Sequence, residues 1–339
     1  MPHERLLTIP QRIKDSFEFL FLARHALGDG SPDSVDGTHA TYHRELLDTL
    51  RDIGLSVEPA NSFEALLSNP RKDFVISFLN RAGFHNSEML APLLCLYHDI
   101  PFLGGSAIVR GVSDDKHIMK RIARAIGVRT PDWRYMQRGG LCSDENNYFA
   151  ADAYIVKPNA SSASWGIRVT GSWQEAMEHV QHLHSTCHDA IVESRIEGYD
   201  LAVPVIGAIT PWYLPVIRYE FDGGFRNYEQ KRDLVDSKEG HSVLEPSTVT
   251  NEVEYMSGLL LQELWPFDHG RFEFRVDART GDIYFIEVNL NCNLSSWKTI
   301  ARASRHIGLE HCELIETIVC HSLSRQSLLN IELQPGRAA

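Results

Sequence analysis

The stretch Arg271–Ser296, RFEFRVDARTGDIYFIEVNLNCNLSS, constrains this chain more than any other. It reads as two strands of alternating character, Arg271–Val276 and Ile283–Val288, joined by a turn centred on Thr280-Gly281-Asp282. Glu287 and Asn289 are two apart, so on an extended chain both point to one side. If the strands pair, Glu273 joins them, and two carboxylates and an amide face one space. Such an oxygen set suits a hard cation such as Mg²⁺, which shares its remaining positions with phosphate oxygens. The competing reading is a surface hairpin with ordinary solvated charges, and the rest of the chain has to decide between the two.

A chain of 339 residues is long enough for two or three compact units, each with its own core. Its 43% of hydrophobic residues, with no apolar run as long as a membrane span, is the composition of a globular protein outside the bilayer. Charged residues from His3 through Asp15 leave no room for an apolar signal core, so a cytoplasmic protein is expected. A formal charge of -12 argues against nucleic acid as a partner, because phosphate backbones select basic faces. The six cysteines (Cys95, Cys142, Cys187, Cys292, Cys312, Cys320) form no CxxC pair and read as reduced thiols. Cys292 differs only in lying beside the acidic hairpin; no base is tied to it by spacing, so a structural thiol outweighs a nucleophile.

From the N-terminus, Phe17–Leu27 reads as a buried strand, followed by a Gly/Ser/Asp-rich loop. A helix from His39 to Ile53 presents Leu46, Leu47, Leu50 and Ile53 on one stripe. Ser56–Pro59 is a short strand, Ser62–Ser68 a helix, Asp73–Leu79 a strand, Ser87–His98 a helix and Pro101–Leu103 a strand. This alternation predicts a small parallel α/β layer, with ligands at the carboxyl ends of its strands. The loops there carry Arg24-His25 and the run Arg81 to His85, which could hold an anionic substrate or simply be solvated. Ser113-Asp114-Asp115-Lys116 opens a helix that Gly127 terminates. Strands follow at Trp133–Met136, Ala153–Lys157 and Gly166–Thr170, and Ser172 with Glu175 forms a capping box for a helix over Trp173–His184. Beyond them come strands Ala190–Ser194, Tyr199–Ile206 and Pro215–Glu220, and a helix Glu252–Leu264 capped near Asn251 and Glu254. The hairpin and two helices, Trp297–Ile307 and Glu310–Leu323, complete the chain. Three units are expected: 1–110, 111–189 and 190–339.

Four features belong together. Lys116 and Lys157 sit at element ends rather than mid-face. A small-residue segment, Asn159–Trp165, follows Lys157 with hydroxyls and backbone N–H groups that could cover phosphates. Glu193 ends a strand, and Asp200 lies seven residues on, across Gly198. The carboxylate hairpin comes last. Lysines neutralise phosphate charge, a closing loop excludes water, and carboxylate-held metal bridges the phosphates, which is the layout of a phosphoryl-transfer site. A second cluster, His179, His182, His184, Cys187 and His188, has spacing that could bind zinc, though a polar helix face is the simpler account.

Lys157-Pro158 with SSASWGI, then IVESRIEGYDLAV (Ile191–Val203), then GRFEFRVD…YFIEVN (Gly270–Asn289), resemble the ATP-grasp enzymes, most closely the D-alanine–D-alanine ligase branch. The likeness spans roughly residues 73–320, and no Walker A or GxGxxG loop competes with it. The resemblance implies an α/β ATP-grasp fold, with an N-terminal parallel layer followed by two subdomains that clasp ATP between them. It implies that Lys116 and Lys157 contact the phosphates, that Ser161, Ser162 and Ser164 close over them, and that Lys231 reaches the terminal phosphate. Glu193 would lie along the adenine edge and Asp200 would accept from the ribose. Glu273, Glu287 and Asn289 would hold two Mg²⁺ ions, replaceable by Mn²⁺, and Arg271 would balance charge in the transition state.

This chain departs from that branch where the amino acids bind. The glutamate after the first strand and the His-Gly…Gly-Glu-Asp-Gly segment are replaced by ARHALGDG and LNRAGFHN. The Pro-Gly turn after Asn289 is replaced by Cys292-Asn293, and Glu273 is one carbon longer than the usual aspartate. The expectation is therefore a ligase that joins a carboxylate to an amine through an acyl phosphate, on substrates other than two D-alanines. Arg24, His25, Arg81, His85, Asn293, Ser295 and Ser296 are the expected substrate contacts. ATP and small carboxylate and amine substrates are the expected partners, with no nucleic acid or membrane, and a homodimer as the assembly considered. The alternatives are a small-molecule kinase of the same superfamily and a nucleotide-binding module without turnover.

Overall fold

The computed structural model describes residues 5–32, 34, 36–67, 70–79, 87–140, 148–160, 165–207, 211–220 and 240–329. Its first sheet holds β1 (Glu18–Leu22), β2 (Ser56–Ala60) and β3 (Phe74–Ser77) in the order β2-β1-β3, all parallel. The run FLFL in β1 is apolar on both sides because both sides are covered, as parallel sheets require. Phe19 and Phe21 pack with Leu46, Leu47 and Leu50 of the helix His39–Asp52, while Leu20 and Leu22 face Leu66, Ala91 and Cys95.

The second sheet is antiparallel, with β4 (Trp133–Met136), β5 (Tyr154–Pro158), β6 (Arg168–Thr170) and β7 (Ala190–Ser194) in the order β4-β7-β5-β6. The helix Trp173–Ser185 covers one face, setting Ala176, Val180 and Leu183 against Val156 and Val192. The third sheet comprises β8 (Gly198–Ile206), β9 (Trp212–Tyr213), β10 (Ile217–Glu220), β11 (Gly240–Val243), β12 (His269–Asp277) and β13 (Ile283–Asn289). Its order is β11-β10-β8-β12-β13, with β9 beside β8, and its apolar face buries Phe272, Phe274 and Phe285 against the helix Thr248–Glu263. β12 and β13 pair antiparallel, as the opening stretch predicts, with Arg271 opposite Asn289 and Glu273 opposite Glu287.

The structure corrects several local expectations. β1 ends at Leu22, and Pro101–Leu103 is not a strand but a single bridge, Phe102 to Val75. The helix expected from Ser113 is two helices, Ala107–Asp114 and Lys116–Ala125. They break at Asp115, whose extended backbone frees its carboxylate to accept from Ile118 N. The helix Thr248–Glu263 is capped by Ser247 in a box with Thr250, not by Asn251 and Glu254. Ser172 does cap its helix, but Glu175 turns outward to Gly171 N and leaves the box half-formed. β9 and β11 carry no period long enough to be read from sequence. No described helix is long and apolar enough to cross a membrane.

Candidate active site

The site grows from one residue just past the end of β5. Asn159 donates from Nδ2 to Asp115 Oδ2 (2.8 Å), and its Oδ1 and carbonyl accept from the backbone N–H groups of His117 (2.9 Å) and Lys116 (3.1 Å). Those two N–H groups belong to the first turn of the helix Lys116–Ala125, which has no partner for them of its own. The start of the helix is thereby fixed against the end of β5, where Lys157 sits. Lys116, Met119, Lys120 and Ala123 form the helix's buried stripe, so two lysines occupy positions that helical period assigns to the core.

Lys120 is the functional candidate that the sequence reading missed. It is fully buried, donates to Thr130 Oγ1 (2.9 Å) and lies 3.2 Å from Glu193 Oε1. Lys157 Nζ lies 2.9 Å from the same oxygen. That oxygen has ion-pair contacts but no hydrogen bond of good geometry. Two ammonium groups on one carboxylate leave a net positive charge in a place water barely reaches, and such an excess attracts an anion. Burial, with Lys157 adjacent, pulls Lys120 down to about 8 even though Glu193 opposes the shift. For Glu193 burial alone would raise the pKa, but the two lysines outweigh it and hold the carboxyl below its ordinary value. A lysine on the buried stripe four residues after Lys116 was the signal available for Lys120.

The hairpin faces this cation pair across a cleft. Pro131, Ile155, Lys157, Ile167, Glu193, Ser194, Arg195, Ile196 and Asp200 line one part, and Glu273 to Arg275 with Ile286 and Glu287 line the other. A bulge between Glu273 and Phe274 breaks the strict alternation, so consecutive residues of each strand reach the cleft. Apolar Ile155, Ile167, Ile196, Phe274 and Ile286 line it together with the charged residues.

The hairpin side is crowded with carboxylate. Glu273 and Glu287 face each other directly in the register, an arrangement that repels unless cations intervene. Arg271 binds Glu273 through Nε (2.9 Å) and Nη2, and reaches Thr299 Oγ1 with Nη1 (3.2 Å). Burial would lower its pKa, but Glu273 outweighs burial and keeps the guanidinium charged. Asn289 Nδ2 donates to Glu273 Oε1 (3.2 Å), and Lys116 Nζ stands 3.9 Å from Glu287 Oε2. Lys116 thus stands at the carboxylate end, and it is Lys120 that joins Lys157 on Glu193. Two opposed carboxylates and an amide oxygen fit a hard divalent cation.

Other expected residues fall differently. Asp200 is held by Arg275, with Nη1 to Oδ1 at 2.6 Å. Arg24 and His25 both contact Asp36 Oδ2 at 2.9 Å, so the loop after β1 already contains its counter-ion and is not an open cationic patch. Asn293 Oδ1 accepts from Ser295 N (2.8 Å), and Ser296 N donates to Glu45 Oε2 (3.0 Å), joining this turn to the helix His39–Asp52. Ser295 is fully buried with its hydroxyl unpartnered. Ser161, Ser162, Ser164, Lys231, Arg81 and His85 lie outside the described residues. Cys292 is buried, which pushes its thiol up to about 12 and leaves no thiolate for nucleophilic chemistry. His179 and His184 engage the carbonyls of Gly166 (2.8 Å) and Met136 (3.0 Å). Among the described residues no group of three or more His, Cys, Asp or Glu is placed to hold a metal ion.

Two lobes meeting over a lysine-floored, carboxylate-ended cleft define an ATP-grasp ligase, an enzyme that forms carbon–nitrogen bonds. A family profile described as "D-ala D-ala ligase C-terminus" matches residues 122–320, and the chain belongs to that family. A D-alanine–D-alanine ligase of Aquifex aeolicus is 29% identical over 222 residues, 65% of this chain and 73% of its own length. D-alanine–D-alanine ligase B of Xanthomonas campestris pv. campestris is 25% identical over 325 residues, 93% of this chain and 98% of its own. The crystal structure of a Bacillus anthracis D-alanine–D-alanine ligase complexed with ATP superposes with a TM-score of 0.72 at 18% identity. That likeness covers 92% of this chain and 99% of the other, and it bears on the fold.

Proposed function

We propose that this ATP-dependent carboxylate–amine ligase works through an acyl phosphate and takes substrates other than two D-alanines. The observation that carries the reading is that Lys157, Glu193, Glu273 and Glu287 line one cleft, with Lys120 behind Lys157 on Glu193 and with Arg271 and Asn289 bonded to Glu273. The apolar lining takes the base, Ser194 to Ile196 run along its edge, and Asp200 accepts from the ribose. Lys120 and Lys157 turn from Glu193 to the phosphates and neutralise them. Glu273, Glu287 and Asn289 would hold Mg²⁺, which would withdraw charge from the phosphate oxygens.

A substrate carboxylate oxygen attacks the γ-phosphorus, the bond to the β–γ bridging oxygen breaks, and ADP leaves. The amine then attacks the acyl carbon, inorganic phosphate departs, and the nitrogen loses a proton to give the amide. Arg271 holds positive charge beside both events, and Ser161, Ser162, Ser164 and Lys231 are proposed to protect the acyl phosphate from hydrolysis. Substrate choice is assigned to the seam between the loop after β1 and the turn at Asn293, Ser295 and Ser296. Arg24, His25, Arg81 and His85 are proposed as further substrate contacts. Two features support non-alanine substrates: the family's substrate motifs are replaced there, and Asp36 pairs with Arg24 and His25.

The test is a screen of paired amino acids and small acids, reading phosphate release together with product mass. An amide product with ADP supports the ligase reading, whereas a phosphoester would make the protein a kinase. Product formed fastest from two D-alanines would overturn the substrate assignment. Nucleotide binding without turnover for every pair would leave only a binding module.

A further inference from the structure

β12 sends a second arginine to the cleft. Arg275 is two residues beyond Glu273, and its largely buried guanidinium makes three directed contacts. Nε donates to Ile196 O (2.6 Å), Nη1 to Asp200 Oδ1 (2.6 Å) and Nη2 to Gly198 O (3.1 Å). All three partners lie in the link between β7 and β8 or in the first residues of β8. That link is the covalent joint between the four-stranded and six-stranded sheets, and Ser194, Arg195 and Ile196 within it form one wall of the cleft.

The joint is fastened on both sides. Toward the four-stranded sheet, Ser194 N donates to Asp132 O (2.8 Å) and Arg195 N to Ala153 O (2.9 Å). Toward β12, Ala278 N donates to Glu197 O (2.9 Å), and a Cβ on Gly198 would stand 1.7 Å from Val276 O. The main chain is therefore located without Arg275. What Arg275 adds is a directed contact on the Asp200 carboxylate within the cleft. A planar guanidinium sets a carboxylate's direction as a flexible ammonium does not.

We propose that Arg275 is a positioning residue for the nucleotide sugar, aiming Asp200 so that it accepts from the ribose hydroxyls. This rests on the ATP reading of the cleft. Without Arg275 the carboxylate loses that directed contact, and discrimination between a ribose and a deoxyribose weakens.

The experiment compares the full-length wild type with Arg275→Met, Arg275→Lys, Asp200→Asn and the Arg275→Met/Asp200→Asn pair. KM and kcat are measured with ATP, 2′-deoxy-ATP and 3′-deoxy-ATP, and Kd with ADP by calorimetry. The expected result for Arg275→Met is a rise in KM for ATP of roughly tenfold, kcat falling less than KM rises. Preference for ATP over at least one deoxy analogue shrinks toward unity, Arg275→Lys recovers part of it, and the double variant is no worse than the worse single. Equal weakening toward ATP and both analogues would reduce Arg275 to a structural pin and overturn the proposal. Should Arg275→Met fail to fold, the same ratios are read on Arg275→Lys and Asp200→Asn, and unchanged ratios there overturn it equally. Wild-type binding with discrimination that Arg275→Met leaves intact sinks this inference alone. A wild type that binds no nucleotide sinks the ATP reading with it.

Discussion

Lys120 and Glu193 show how far one buried charge can set a pH profile. A lysine ordinarily titrates at 10.5, and burial brings Lys120 to about 8 in the folded protein. Between those values the unfolded chain holds a proton that the folded chain lacks, so stability rises with pH across that window. Lys120→Met is expected to remove that rise, seen as a flattened plot of urea midpoint against pH. The same titration withdraws positive charge from the nucleotide end, so kcat/KM for ATP should fall as pH rises through about 8. Lys120→Met should lower kcat/KM at neutral pH and abolish that alkaline limb; an unchanged limb would remove Lys120 from the site. Replacing Glu287 by Gln keeps the shape but loses charge from the proposed cation site. Turnover should drop at least about 100-fold with an unshifted melting temperature, and near-normal Mg²⁺-dependent activity would refute the metal assignment.

Among the elements, the hairpin was legible because period two and oxygen side chains coincide in one stretch, Phe272, Phe274 and Val276 alternating with Arg271, Glu273 and Arg275. The helix Lys116–Ala125 was harder: its start depends on Asp115 and on Asn159, which is 44 residues away from that cap and invisible to local pattern. β7 and β8 were both readable, yet the work of the joint between them depends on long-range contact with β12. Gly198→Ala tests that contact. A methyl cannot fit against Val276 O, so the joint must shift, at a stability cost of about 1–3 kcal/mol. Because the same joint walls the cleft, KM for ATP should rise in parallel; loss of stability with unchanged KM would separate the joint from nucleotide binding.

For the molecule as a whole, Asp268 joins three regions. Arg325 Nε donates to its Oδ1 at 2.6 Å, while Arg325 Nη2 (2.8 Å), Gly104 N (2.6 Å) and Ser322 Oγ (2.5 Å) reach its Oδ2. The C-terminal helix His311–Arg325, the end of the first α/β layer and the start of β12 are thus tied at one buried carboxylate. Asp268→Ala leaves a largely buried guanidinium without its partner and should cost about 3–5 kcal/mol, read as a lower urea midpoint at constant slope. β12 runs on from Asp268 to Arg271 and Glu273, so a loosened anchor should also slow turnover. A loss below about 1 kcal/mol would mean that solvent already satisfies the pair.

The parallel layer and the antiparallel hairpin were determined by the sequence itself, because each rests on periodicity within a segment, and the ATP-grasp class was legible from the resemblance of three separated motifs to that family. Glu273, Glu287 and Asn289 were nameable for the same reason. Only the tertiary structure decided that Lys120 joins Lys157 on Glu193, that Lys116 turns to Glu287, and that Arg275 holds Asp200. Those choices depend on which charges become neighbours once water is excluded. Coulomb attraction and desolvation act on distance in space, and distance in sequence carries almost none of it.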